Sequence, residues 1–398
     1  MAEPPVVALE LGTSKVCALV GEMREDGSLM ITGLGECPSR GVRKGRVVDL
    51  ENAVACARTA LHMAEENGQV AIGEVHVAVS GGHVESTVNR GSVPVLDPED
   101  GITVEDIAGV KEVARAANLS QDRQFIHTVA QHYYIDEHGG VVNPKGMVGA
   151  RLSLDMLIVH GVRGPLQNIL NVVRSVPMDV CEPAFSGLCS ALAVLSAEQK
   201  RNGVALIDLG GGTTDYIVYA GNTLAAAGSV AVGGDHITND IVSAFSIPTS
   251  EAERLKRRSG PAVQSGADKR RHITLKPELG FPARSLSVAD LETVINLRAE
   301  ETLMLVRSRL GSELLEHVGA GIVLTGGGAY LQGIEDLASQ VFSIPAVIGR
   351  PRSISGLGIV TERPEYATPL GLVRYGFRPS EQTRKRRSIR DWFRGLVE

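Results

Sequence analysis

The sequence predicts an α/β protein of two related lobes, with a small α+β domain inserted in the first. Three observations carry that prediction. The segment V-A-L-E-L-G-T-S-K at Val7–Lys15 is echoed by V-A-L-I-D-L-G-G-G-T-T-D at Val204–Asp215. Each is an apolar strand with one carboxylate near its end (Glu10, Asp208), a Gly/Thr/Ser turn and a second apolar strand. Two such hairpins about 200 residues apart mark an internal duplication. Between them, over about 85–163, the texture changes to strand-like segments flanking one helix. The chain's 398 residues and 43% hydrophobic content suffice for several packed units.

Taken in order, Val6–Leu11 and Val16–Val20 read as strands split by the turn Gly12–Lys15, and Leu29–Leu34 extends the same sheet. Leu50–Asn67 reads as a helix with Asp49 as N-cap and Gly68 beyond its end. Val75–Ser80 is a strand running into Gly81-Gly82. Ile107, Val110, Val113 and Ala117 recur at helical spacing, and Thr103 with Asp106 is placed for a capping box. Strand-like runs at Gln124–Ile135 and Met147–Val159 flank this helix. Helices are expected over Leu166–Ser175, Ser186–Glu198, Ile237–Phe245 and Val288–Leu310, with a polar, basic stretch over Arg254–His272. The strand Gly321–Thr325 ends in Gly326-Gly327-Gly328, and Pro379–Arg387 reads as a linker.

Composition excludes several classes. With 45 Gly, 22% charged residues and 5 Cys without a C-x-x-C pair, the chain is neither disordered, nor a disulfide-stapled miniprotein, nor a coiled-coil rod. The cysteines read as reduced core residues of a cytoplasmic protein. No apolar run approaches the ~18–20 residues of a membrane span, and no signal peptide is visible. The net charge of −6 divides unevenly: residues 384–398 carry +4, leaving −10 on the body. That division argues against nucleic acid as a partner and for a local contact made by the tail.

Neither a P-loop nor a G-x-G-x-x-G signature occurs. What remains are three glycine-rich turns after apolar strands: Gly12–Lys15, Gly210–Thr214 and Gly326–Gly328. Backbone amides in such turns cradle phosphate oxygens, and Thr and Ser add hydroxyl donors. Glu10 and Asp208 suit a hydrated Mg²⁺, which takes carboxylates, water and phosphate together. Any one of these turns alone is equally compatible with plain packing; the conjunction is what points to nucleotide.

The three turns resemble the phosphate-1, phosphate-2 and adenosine motifs of the actin/sugar-kinase/heat-shock-ATPase superfamily. Within it the chain resembles the bacterial cell-division FtsA family over essentially its full length. Further segments carrying that match are C-P-S-R-G at Cys37–Gly41, N-P-K-G at Asn143–Gly146, A-E-R-L-K at Ala252–Lys256 and G-I-V-L-T-G-G-G-A at Gly321–Ala329. The resemblance implies an actin-like fold: duplicated ribonuclease-H-like sheet cores flanked by helices, the inserted α+β subdomain, and a C-terminal amphipathic helix. The first lobe would span 1–84 and 164–200, with 351–378 returning to it. The insert would span 85–163 and the second lobe 201–350, its outer part at about 235–315; a linker at 379–387 would lead to the helix at 388–398.

The resemblance also implies ATP and Mg as ligands. Gly12, Thr13, Ser14 and Lys15 would hold the phosphates from one side, and Gly210, Gly211, Gly212, Thr213 and Thr214 from the other. Glu10 and Asp208 would hold the metal through water. Gly234, Glu253 and Lys256 would line the ribose and adenine side, and Gly326, Gly327, Gly328 and Ala329 the adenosine. Glu10 stands where the wider superfamily usually has Asp, so slow hydrolysis is expected; His83 and Gln131 are the polar candidates for positioning water. In that family the second lobe docks the C-terminal peptide of the tubulin-like FtsZ, with Arg284, Asn296, Arg298 and Glu301 in the region concerned.

The tail has its own signal. Ile389, Trp392, Phe393 and Leu396 fall on one helical face, flanked by Arg387, Arg390 and Arg394. An Arg-rich helix with one aromatic face suits an anionic membrane surface. The expectation is therefore a peripheral protein on the cytoplasmic side of the inner membrane at the division site, forming polymers, tethering FtsZ and recruiting other division proteins. The competing readings are a pilus or secretion scaffold of the PilM kind and an actin-fold small-molecule kinase or ATPase; the tail argues against both.

Overall fold

A computed structural model describes residues 4–26, 28–259, 262, 271–275, 277 and 283–378. The calls on the linker and on Arg387, Ile389, Arg390, Trp392, Phe393, Arg394 and Leu396 lie outside the described residues.

The duplication is visible in the sheets. In the first lobe, Leu29–Pro38, Lys15–Met23, Val6–Leu11, Glu74–Val79 and Asp179–Phe185 lie side by side in that order, and Ile354–Gly356 extends the edge. In the second, Thr223–Val230, Thr214–Ala220, Val204–Leu209, Ile322–Thr325 and Ala346–Ile348 repeat the order. In both, the first three strands form an antiparallel meander and the last two join parallel to the first strand. Parallel pairing needs long crossovers. The helix Leu50–Gly68 supplies one in the first lobe, with Asp49 accepting from Asn52 N at its start.

The central strands are buried almost throughout (Val204–Leu209 entirely), as expected of sheets covered on both faces. Between the two sheets run the helices Ser186–Val194 and Ala367–Gly376, which share one core cluster with Leu19, Phe185, Leu206 and Val323. Their backbones cross closely: a Cβ on Gly371 would stand 1.7 Å from the Cys189 carbonyl oxygen. This helix pair joins the lobes below the cleft.

Between the first-lobe strands Glu74–Val79 and Asp179–Phe185, Glu85–Pro94, Arg151–Val162, Arg123–Ile135 and His138–Val141 form a four-stranded antiparallel sheet. The helix Val104–Arg115 packs on it around Val110, Ala114 and Leu154. Its capping box is the one the sequence predicts, Thr103 with Asp106. This sheet also touches the second lobe, where Ser229 N donates to Val84 O and Ala227 N to Ser86 Oγ.

Gly68, expected beyond its helix, is the last helical residue, with Gln69 as the left-handed cap; the strand expected over Met147–Val159 runs over Arg151–Val162, and the helix expected to end at Leu310 continues to Leu315. Two further elements differ from expectation. The helix expected over Ser186–Glu198 stops at Val194, because Ser196 begins a new capping box with Gln199 and starts Ala197–Arg201. The polar, basic stretch from Arg254 begins inside a helix, Thr249–Ser259.

Candidate functional site

The two phosphate-type turns face each other across the lobes. Each caps a hairpin whose register fixes it: Leu11 pairs with Val16, and Leu209 with Thr214. The second turn is closed by Gly210 N donating to Thr213 O at 3.0 Å. It is tied to the helix Gly234–Phe245 by Gly234 N to Gly210 O (2.9 Å) and Asp235 N to Gly211 O (2.8 Å). A Cβ on Gly212 would lie 2.4 Å from Thr13 Oγ1, and one on Gly211 would lie 3.3 Å from Ser14 Cβ. The turns are thus in contact, and only glycine fits at Gly212.

Three carboxylates lie beneath the turns, all buried or nearly so. Glu10 Oε2 is buried without a hydrogen-bond partner. Burial pushes Glu10 up to about 8, Lys15 opposing and Asp208 and Asp215 adding to it. Asp215 is pushed up to about 7, by burial first and then by Asp208. It accepts from Ser80 Oγ at 2.6 Å. Burial also raises Asp208, against hydroxyls from both inter-lobe helices: Ser190 Oγ at 2.5 Å and Thr368 Oγ1 at 3.1 Å. Burying acids costs folding free energy, and such perturbed groups cluster at functional sites.

An orphaned carboxylate oxygen, glycine turns and Thr/Ser hydroxyls make a donor set suited to Mg²⁺ with phosphate. Among the described residues no three His, Cys, Asp or Glu side chains converge on one point as ligands.

The remaining predicted residues are placed as follows. Lys15 Nζ bonds Glu36 Oε2 at 3.0 Å and sits 3.3 Å above the Tyr366 ring centroid. Lys256 Nζ bonds Gly234 O at 3.0 Å and Glu253 Oε2 at 2.6 Å, gathering that trio at the helix start. Burial would raise Glu253, but bonds from Lys256 and Thr238 outweigh it and hold the carboxyl at about 2. Gly326, in left-handed geometry at φ +81°, begins the turn Gly327–Tyr330, which packs on Leu209 beside Asp208. Gly328 and Ala329 lie in that turn.

Gln131 and His83 stand at the insert's contacts: Gln131 Nε2 donates to Leu224 O, and His83 Nδ1 accepts from Val162 N. In the second lobe Arg284 bonds Phe245 O, and Asn296 bonds Ala262 O. Arg298 pairs with Asp240 and with Glu301. Sequence reasoning assigned no role to Asp215, Ser80, Ser190 or Thr368. The signal for Asp215 was present, as the last residue of the same glycine-rich motif.

Comparison with known proteins agrees with this architecture. Residues 205–371 match the family model "Cell division protein FtsA", and residues 81–160 match "SHS2 domain inserted in FTSA". Cell division protein FtsA of Escherichia coli K12 is 37% identical over 379 residues, covering 93% of this chain and 90% of the relative. That of Pseudomonas aeruginosa is 37% identical over 372 residues (93% and 89%), and that of Borreliella burgdorferi 34% over 377 (94% and 91%). Among solved structures, the PilM–PilN type IV pilus biogenesis complex aligns with TM-score 0.66 at 15% identity, covering 94% of this chain and 99% of that one. MreB5 of Spiroplasma citri bound to ADP aligns at 0.53 and 16%, covering 96% and 98%. These structural likenesses establish the actin-like fold. Among the described residues no helix is long and apolar enough to cross a membrane. The chain belongs to the FtsA family of actin-like bacterial cell-division proteins.

Proposed function

We propose that this chain binds Mg-ATP between its two facing turns, polymerises in that state, and ties FtsZ filaments to the inner face of the cytoplasmic membrane through residues 388–398. The observation that carries the nucleotide part is the contact between the Gly12–Ser14 and Gly210–Thr213 turns above the buried Asp208 and Asp215 and the half-buried Glu10. In it, Thr13, Ser14 and Thr213 donate to phosphate oxygens, and the glycines let backbone amides approach. Magnesium, when bound, neutralises phosphate charge. Glu10 and Asp208 orient its water shell, while Asp215, with a hydroxyl partner and a pKa near 7, is suited to take a proton from water. Gly234, Glu253 and Lys256 hold the ribose and adenine side, with Gly326–Ala329 on the adenosine.

Membrane attachment rests on the sequence of the tail. Each tail is a modest anchor, and a polymer bearing many gains through avidity. On the second lobe, the face of Arg284, Asn296, Arg298 and Glu301 is proposed to receive the FtsZ peptide, with Arg298 exchanging Asp240 for an acidic group of that peptide. The insert is the proposed contact for later division proteins. The test is sedimentation with anionic vesicles, with and without Mg-ATP. Trp392→Glu combined with Phe393→Glu releases the protein while leaving ATP affinity unchanged; undiminished vesicle binding by that variant refutes the anchor.

A further inference from the structure

The sequence R-G-V-R-K-G-R at 40–46 places four cations in seven residues. It forms a tight hairpin, Val42–Arg43 against Arg46–Val47, with Lys44 (φ +50°) and Gly45 (φ +70°) at its tip. Both central residues in left-handed geometry define a two-residue type I′ turn, in which Lys is a costlier choice than Asn or Gly. The base is fixed: Val42 is buried in the first-lobe core, and Val48 N and Asp49 N both donate to Gly41 O. Arg40, Arg43, Lys44 and Arg46 are exposed, and among the described residues none pairs with a carboxylate.

A solvated hairpin would be unremarked but for its position. A Cβ on Gly212 would meet Thr13 Oγ1 at 2.4 Å and Lys44 N at 2.8 Å, so both turns and the hairpin tip converge on one point. Gly45 packs against Ser80 O and Gly81, beside the hydroxyl that holds Asp215. The opposite end of the second turn, Gly210, adjoins Gly234 and Lys256 on the nucleoside side. On the nucleotide placement proposed above, with Gly234 and Lys256 on the nucleoside side, the Gly212 end is the one facing the last phosphate. Burial lowers the His236 pKa and Lys44 adds to that shift; burial raises Asp235, with Lys256 and, least of all, Arg43 opposing it.

We propose that this hairpin is a third phosphate-binding element, in which Lys44 contacts the terminal phosphate of a nucleoside triphosphate and so distinguishes it from the diphosphate. The inference rests on the nucleotide site proposed above and adds to it the group that reads the phosphate number. A charged donor on a phosphate oxygen is among the stronger hydrogen bonds.

The test uses the full chain with Mg²⁺ and measures dissociation constants for ATP and ADP by calorimetry. Lys44→Asn keeps a residue that tolerates left-handed backbone, and Lys44→Arg restores the charge. Lys44→Asn is expected to weaken ATP about tenfold and ADP less than twofold, with Lys44→Arg recovering most of the loss. Equal losses for both nucleotides, or no loss, overturn the terminal-phosphate role while leaving the nucleotide site standing. Wild-type protein that binds neither nucleotide overturns the site itself, and this inference with it.

Discussion

Ser80 Oγ lies 2.6 Å from Asp215 Oδ1, joining the end of a first-lobe strand to the second-lobe hairpin across the cleft. The bond favours the ionised carboxylate, against the burial that pushes Asp215 up to about 7. Ser80→Ala removes that donor, so the Asp215 pKa rises further. The acid limb of the pH profile for ATP turnover is expected to move to higher pH. An unshifted profile separates Asp215 from the chemistry.

The raised carboxyls also set how stability depends on pH. Glu10 and Asp215 bind protons more tightly folded (about 8 and about 7) than unfolded. Their stabilising contribution is full below about pH 4 and is lost as pH rises through 7 and 8. Replacing both with Glu10→Gln and Asp215→Asn therefore raises the melting temperature relative to wild type progressively from pH 5 to 8.5. A constant difference across that range contradicts the burial argument.

Metal linkage runs the other way. Mg²⁺ favours ionised carboxylates, so its binding with ATP releases protons and tightens from pH 6 to 8. Glu10→Gln is expected to flatten that dependence, as read by calorimetry in two buffers of different ionisation enthalpy. Proton release equal to wild type in the variant removes Glu10 from the metal's surroundings.

The inter-lobe helix crossing tolerates no side chain. Gly371→Ala places a Cβ 1.7 Å from a backbone oxygen, which the helices relieve only by moving apart. The expected loss is on the order of 1–3 kcal/mol, visible as a lower melting temperature. A melting temperature within a degree of wild type contradicts the close approach.

Thr103→Ala tests the insert separately. It removes the N-cap of the helix Val104–Arg115, at a cost of about 1 kcal/mol. Hydrogen exchange should accelerate within that helix and leave the two lobes' central strands protected.

The pattern of what was legible follows sequence distance. The duplicated hairpin motifs, the Asp49 cap and the Thr103 capping box are local, and each is written in at most a dozen consecutive residues. Asp215 is marked locally, at the end of the glycine-rich motif, but its hydrogen-bond partner Ser80 is 135 positions away. The surroundings of Asp208 come from Ser190 and Thr368, on helices whose crossing no local pattern announces. Lys15 sits in a phosphate-type turn, yet Glu36 and Tyr366 hold its ammonium, and the sequence gives no sign of either. The end of the helix at Val194 is a local matter: Ser196 and Gln199 form a capping box inside an apolar run that otherwise reads as continuous.

The central claim is that nucleotide lies between the two glycine turns, and Gly212 is the position that tests it. Titration of a fluorescent ATP analogue into the full chain, with Mg²⁺ or EDTA, is expected to show one saturable, Mg-dependent site. Gly212→Val, which fills the space between Thr13 and Lys44, is expected to abolish it while far-ultraviolet circular dichroism stays that of the folded protein. Wild-type protein that does not bind, or a Gly212→Val variant that binds as well as wild type, contradicts the account.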